Sequence, residues 1–393
     1  MAKGASWLSF GAISLLACGG GNALGRTDAK PELTSTLAAP SARVAEPAVA
    51  SAPAPAPQGV APSAPAEPLA EIHGETIAQG PSLAGSCSIE ILARALTWPA
   101  KLIVGPDGSV YVVDEYLTKF RGENERRTRV LELKPGSRPR RVADFVAALS
   151  DVALHQGGLA YIDRLGDGEV GLLDLQTGKR THVGPGPRDI AARSGALYGT
   201  RFTPDRLEIF GLPTPPETAS GVIATIAGRW DPDTTWLVTS STRFYFLVTP
   251  GREDARASAG SFNTHLAHAR LSGGEGQVVG KLHIGTALAA ASPYVYAGSL
   301  TRVFRIDETT MKIETTTGGG AEQMAADANG GAWTNADQGT VTVWPKGELP
   351  RLACEGIASA AGIALSPTHV YFSSMGEDPL AGKSVAVVGR FKR

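Results

Sequence analysis

An all-β fold, a seven-bladed β-propeller of four-stranded antiparallel blades, is what this sequence predicts, on three observations. An apolar run, a turn, a small or apolar residue and then an aromatic recur seven times, the aromatics being Tyr111, Tyr161, Tyr198, Tyr245, Tyr296, Trp333 and Tyr371. These marks lie 37 to 51 residues apart, about 43 on average, and a period of about 40–45 residues with four strand-like runs per unit is a propeller repeat. From about Ser86 onward the composition is globular, rich in β-branched residues, Leu and Gly turns, leaving room for seven blades.

The first residues read as a targeting signal. Lys3 supplies a positive region, and Ala5–Ala17 is an apolar stretch too short to span a bilayer but suited to a signal peptide. It ends in Leu15-Leu16-Ala17-Cys18, which resembles a bacterial lipobox. The resemblance implies cleavage before Cys18, diacylation of its thiol with palmitate-type chains, and outer-membrane sorting, since no Asp follows the cysteine. The expected organisation is residues 1–17 as a lipoprotein signal peptide, 18–84 as a lipid-anchored tether, and 85–393 as the propeller. Pro31–Ala70 holds 13 Ala and 9 Pro in 40 residues, too little large apolar surface to offset its ordering entropy, so the tether is expected to be disordered or polyproline-like.

Within each unit the runs keep one order. In the first, Lys101–Val104 is the inner run, Pro106-Asp107-Gly108 the turn, and Val110–Val113, Arg129–Leu133 and Arg141–Phe145 follow; Asp-Gly between apolar runs is a hairpin signal. The last unit has only three runs before Arg393. Ser88–Ala93 belongs to no earlier blade and is expected to pair with Ser384–Phe391, closing the ring and removing an open sheet edge. Cys87 begins that closing strand and Cys354 lies in the outer run of blade six. Either they bridge, as an oxidising compartment allows, or they are buried apart as thiols.

Gly105-Pro106-Asp107-Gly108-Ser109-Val110-Tyr111 resembles a blade of the NHL, YVTN and streptogramin-lyase propellers, and Asp327-Ala328-Asn329-Gly330-Gly331-Ala332-Trp333 a gluconolactonase-type blade. These short motifs imply the fold. Aligned on the aromatic marks, Lys101, Asp151, Asp189, Thr235, Thr286, Gln323 and Gly362 enter the inner strands at the channel mouth. Of these, Lys101, Asp151, Asp189, Thr286 and Gln323 are the candidate ligand groups, set against a solvated channel in which Lys101 pairs with Asp151. By resemblance a lactonase needs a carboxylate cluster with Asn around calcium, and this ring has two Asp and no Asn or Glu. A lyase needs a His with an acid, for which His265 and Glu253 are the available pair. His265 and His268 lie three apart in a strand, on opposite faces, so one ion does not take both.

The connections after the second strand are long in three blades, at Asp114–Thr128, Thr249–Thr264 and Ser374–Lys383, and long loops on a rigid scaffold are where recognition sits. Lys119–Arg141 carries nine Lys/Arg against three Glu, which reads as a solvated edge that resists aggregation before it reads as a patch for an anionic partner. Net charge is −1 overall, arguing against nucleic acid. No Gly-x-Ser-x-Gly, Walker or Rossmann motif occurs. The expected function is therefore a non-enzymatic cell-envelope lipoprotein, whose monomeric propeller binds a protein or glycan on its loop-bearing face. The alternative is a propeller enzyme resembling streptogramin lyase or gluconolactonase. No catalytic residue, metal or other cofactor is expected, calcium or magnesium at the ring being what the alternative would need.

Overall fold

The computed structural model describes residues 70–83, 87–120, 123–164, 168–213, 221–251, 263–316, 319–375, 377–378, 383–384 and 386–393. Cys18 and the residues expected to form a signal peptide and a tether, as far as residue 69, lie outside them. Seven blades follow in chain order, the first six each a four-stranded antiparallel meander; Gly274–Glu275 and Glu75–Thr76 add short parallel strands to the outer edges of blades three and five. Blade one is built from Trp98–Val104, Val110–Phe120, Glu123–Leu133 and Arg140–Phe145; blades two to six repeat the plan from Leu149 to Cys354.

Blade seven takes Ala360–Leu365, His369–Ser374 and Ala386–Lys392 from the C-terminus and Glu90–Leu96 from the N-terminal side. Glu90 faces Arg390, Ile91 faces Gly389 and Ala93 faces Val388. The closing strand thus forms as expected, shifted two to three residues along the chain. An ion pair ties its start to the last strand, Arg390 to Glu90 at 2.7 Å.

Strand periodicity explains where the core lies. Successive side chains point to opposite faces of a sheet, and both faces of every blade are covered by a neighbouring blade. In the second strand of blade one, Val110 and Val112 pack toward blade seven, while Tyr111 and Val113 pack toward blade two. The buried apolar residues accordingly form seven clusters, one per junction between blades, including the seventh-to-first junction.

The seven aromatic marks all fall on second strands, but not on one face. Tyr111, Tyr198, Tyr245, Tyr296 and Tyr371 pack toward the following blade. Tyr161 and Trp333 pack toward the preceding one. A one-residue slip reverses a strand's faces, and aligning the units on the aromatic places blades two and six one residue out of step. Two glycines are demanded locally. Gly108, at φ 79°, occupies the left-handed position of the turn foretold by Asp107-Gly108. Gly171 lies beneath the Tyr161 ring, where a Cβ would come within 2.3 Å of the phenol.

Residues 70–83, counted with the tether in the sequence analysis, run as a strap along the outer edges of blades four, five and six. The Ile72 amide donates to Lys281 O and the Lys281 amide to Ala70 O. Glu75 and Thr76 pair in parallel with Glu314 and Thr315. The Gly80 and Leu83 amides donate to Pro350 O and Leu352 O. Ile72, 6% exposed, enters the core between blades four and five. Backbone groups that would otherwise present open sheet edges are therefore partnered.

The strap leads into the cystine. Cys87 and Cys354 are disulfide-bonded with Cα atoms 5.4 Å apart, inside the range a bridge requires. This decides between the bridge and two thiols buried apart.

Candidate functional site

The first strands surround the channel, and what their polar groups do is hold the blades together. Lys101 Nζ pairs with Asp151 Oδ1 across the first junction. Asp151 also accepts from the Val152 amide at 2.8 Å through Oδ1 and from the Ile190 amide of blade three at 3.0 Å through Oδ2. One carboxylate thus spans three blades. Arg193 donates to Ser240 O at the third junction, and the Gly285 amide donates to Thr264 Oγ1 at the fourth, 3.0 Å. Thr286 Oγ1 donates to Ala321 O at the fifth, and Thr334 Oγ1 to Ala361 O at the sixth, 2.8 Å. Ser373 Oγ closes the ring, accepting from the Gly362 amide at 2.7 Å and donating to Pro99 O of blade one at 3.0 Å.

Of the sequence-selected ring residues, Lys101, Asp151, Thr286 and Gly362 therefore sit at blade junctions. Asp189 lies just before its strand, its amide donating to Thr200 Oγ1 at 3.2 Å. Gln323 is exposed, and its backbone pairs with Thr334. The side chain of Thr235 lies outside the described residues. Thr264, Thr334 and Ser373, which the aligned ring position does not include, are all buried.

His265 and His268 share the third strand of blade four, Asn263–Arg270. They point apart: His265 meets Trp230 edge-on at 5.6 Å, and His268 meets Tyr245 at 5.9 Å on the other face. Burial, helped by Lys281, pushes the His265 imidazole down to about 4. Burial also lowers His155, and lowers His268 with help from Arg243 and Arg270. The unfolded chain takes up these protons near pH 6.5, the folded one only at lower pH. Their contribution to stability is therefore present above pH 6.5 and is lost as pH falls toward 4, up to about 3 kcal/mol for His265 once both states are protonated. The melting temperature is expected to drop from pH 7 to pH 5, and His265→Phe to flatten that drop; a variant with the parent's slope would assign the acid sensitivity elsewhere. Glu253, the acid considered with His265, lies outside the described residues.

The loop-bearing face differs from expectation in one place. Asp114–Thr128 is not a loop: Val110–Phe120 and Glu123–Leu133 stay paired out to Phe120 and Glu123. Cross-strand partners extend the hairpin beyond the blade. Arg126 meets Glu115 at 3.6 Å, and Arg129 stacks over Tyr116 at 5.5 Å. Leu117 on this arm is 65% exposed. In Ser374–Lys383, Glu377–Asp378 pairs with Lys383–Ser384. Most of Thr249–Thr264 lies outside the described residues.

The basic run of blade one is largely self-neutralised. Arg127 pairs with Glu125 at 2.9 Å, Lys134 and Arg140 with Glu132 at 3.1 and 2.6 Å, and Arg141 with Asp144 at 3.2 Å. Arg129 reaches the fully buried Asp114 at 2.7 Å, which also accepts from the Thr97 and Trp98 amides. This is the chemistry of a charged edge more than of a free cationic patch. Among the described residues no three His, Cys, Asp or Glu side chains are grouped to hold a metal ion.

No family model matches the chain, and no curated protein matches its sequence. In shape it is similar to the WD40 β-propeller domain of Doa1, at 12% identity over 77% of this chain and 97% of that one, TM-score 0.46. It is also similar to BamB from Moraxella catarrhalis, at 12% identity over 80% and 100%, TM-score 0.43. A third similarity is to acylaminoacyl peptidase from Pyrococcus horikoshii, at 12% identity over 70% of this chain and 49% of that one, TM-score 0.47. Likeness at this level adds nothing to the fold that the strand pairing already establishes.

Proposed function

We propose that this chain is a non-enzymatic lipoprotein of the bacterial cell envelope, anchored in the outer membrane through Cys18, whose propeller serves as a binding or scaffold module for a protein or glycan. The observation that carries the non-enzymatic reading is the use made of the inner polar residues. Lys101, Asp151 and Thr286 engage one another or the next blade's backbone, leaving them structural work instead of substrate work. The cystine supports export, because such bonds persist in oxidising compartments. The partner-binding face is the one bearing the blade-one arm and the other long connections, since exposed connections on a rigid scaffold carry recognition.

Two measurements test this reading. Cys18→Ser should move the protein from the membrane fraction to the soluble fraction; continued sedimentation with membranes sinks the lipid anchor. Asp151→Asn with Asp189→Asn should leave the protein's melting indifferent to calcium and magnesium, as the parent is expected to be. A site of micromolar affinity under millimolar metal would raise the parent's stability by about 4 kcal/mol. Such a rise, lost in the double variant, would favour the enzyme reading and a metal at the ring.

A further inference from the structure

On the face opposite the long connections, the turns of blades four and five enclose a groove of about 650 Å³ lined by Ser241, Thr242, Arg243, Arg270, Ser292 and Glu308. Its floor is a carboxylate held by hydroxyls. Glu308 is 7% exposed; Oε2 accepts from Ser292 Oγ at 2.8 Å and Oε1 from Thr242 Oγ1 at 3.5 Å. Ser292 Oγ lies 2.6 Å from Ser241 Oγ. A hydroxyl has one proton to give, so with Ser292 donating to Glu308 the relay runs from Ser241 through Ser292 to the carboxylate.

The charges of this groove are not matched to one another. Among the described residues Glu308 pairs with no lysine or arginine, and neither Arg243 nor Arg270 pairs with a carboxylate. Arg243 spends one nitrogen on the thioether of Met311 at 3.0 Å, a weak acceptor. Arg201 and Arg206, by comparison, meet Glu208, and Arg305 meets Glu314. Beneath the groove, the buried Tyr245 hydroxyl sits beside both Glu308 and Arg243. Burial, reinforced by Glu308, pushes its pKa up to about 12, so it remains a neutral donor beside the carboxylate. A nearly buried carboxylate that no lysine or arginine pairs with and two guanidiniums that no carboxylate pairs with line one groove.

We propose that this groove binds a small zwitterion with an ammonium and a carboxylate, an amino acid or short peptide, the ammonium on Glu308 and the carboxylate on Arg243 and Arg270. The guanidinium fork matches a carboxylate bidentately. The surrounding hydroxyls take the remaining amide or amine protons. The cavity's size falls in the range of small-molecule sites. This assignment does not depend on the lipid anchor or on the partner of the opposite face.

The test is calorimetric titration of the full-length protein in detergent with alanylalanine, N-acetyl-alanylalanine and alanylalanine amide. The free dipeptide is expected to bind with Kd below about 1 mM, and each blocked form at least about tenfold more weakly, as loss of one charge contact implies. Glu308→Gln should weaken the free dipeptide about tenfold while leaving the N-acetyl form unchanged. Arg270→Gln, at an exposed position, should weaken the preference for a free carboxylate at least several-fold, Arg243 remaining, which keeps the test decisive if Glu308→Gln fails to fold. No heat with any peptide at about 10 mM, equal affinity for all three, or a free-dipeptide affinity unchanged in the folded variants would overturn the assignment.

Discussion

A chain beginning at Trp98 is expected to lose its cooperative thermal transition, whereas chains beginning at Ser82 and at Ala70 keep it. The first start removes Glu90–Leu96, the outer strand of blade seven, with Ala93 and the nearly buried Leu96 that help fill the seventh-to-first junction. It also removes Cys87 and exposes the edge of Ala386–Lys392. Deleting one large buried side chain costs about 2–5 kcal/mol, and a whole domain is stable by only about 5–15 kcal/mol. Removing a strand, its backbone ladder and a disulfide together therefore takes most of the margin. The Ser82 start keeps the closing strand and the cystine but drops the strap's burial of Ile72 and Ile77, each worth about 2 kcal/mol at full burial. Its melting point should fall several degrees below that of the Ala70 start. Differential scanning calorimetry of the three chains checks this. Equal transitions for all three would mean that the N-terminal strand does not close the ring in solution.

The second large effect belongs to the cystine. Replacing Cys87 and Cys354 together by Ala is expected to destabilise the propeller by about 3–5 kcal/mol, because the bridge spans 267 residues and restrains the unfolded chain accordingly. Denaturant unfolding should show a lower midpoint. The parent treated with reductant should shift toward the double variant, and the double variant itself should not respond. A reductant response in the double variant, or an unchanged midpoint, would remove the cystine as the fastener of the closing strand.

The blade repeat was legible because it is written in local pattern. Alternating apolar residues, Asp107-Gly108 and the short last unit are features of neighbours in sequence, and they carry the strand order and the closing strand, while the bridge between Cys87 and Cys354 stayed one of two alternatives until the structure set their Cα atoms 5.4 Å apart. The strap was not legible. Residues 70–83 bond through backbone amides, which every sequence carries, and Ile72 and Ile77 are too sparse to make a pattern. The arm Tyr116–Arg127 looks like a loop in sequence because its pairing depends on cross-strand ion pairs and stacking between residues ten or so apart, not on apolar alternation.

At the candidate sites the division is sharper. That Lys101 and Asp151 meet could be inferred from the repeat, since both enter inner strands of adjacent blades. That Asp151 also reaches Ile190, and that Thr264, Thr334 and Ser373 fasten their junctions, depends on which face each strand turns to its neighbour. The face reverses with a single-residue slip, as it does at Tyr161 and Trp333. The groove around Glu308 depends still more on assembly, because its residues come from four separate turns and no spacing within the chain links them. Strand formation and repeat number follow from short-range chemistry carried in the order of residues. The meeting of Glu308, Ser292, Arg243 and Arg270 exists only once two blades pack, because packing alone sets the distances at which their charges act.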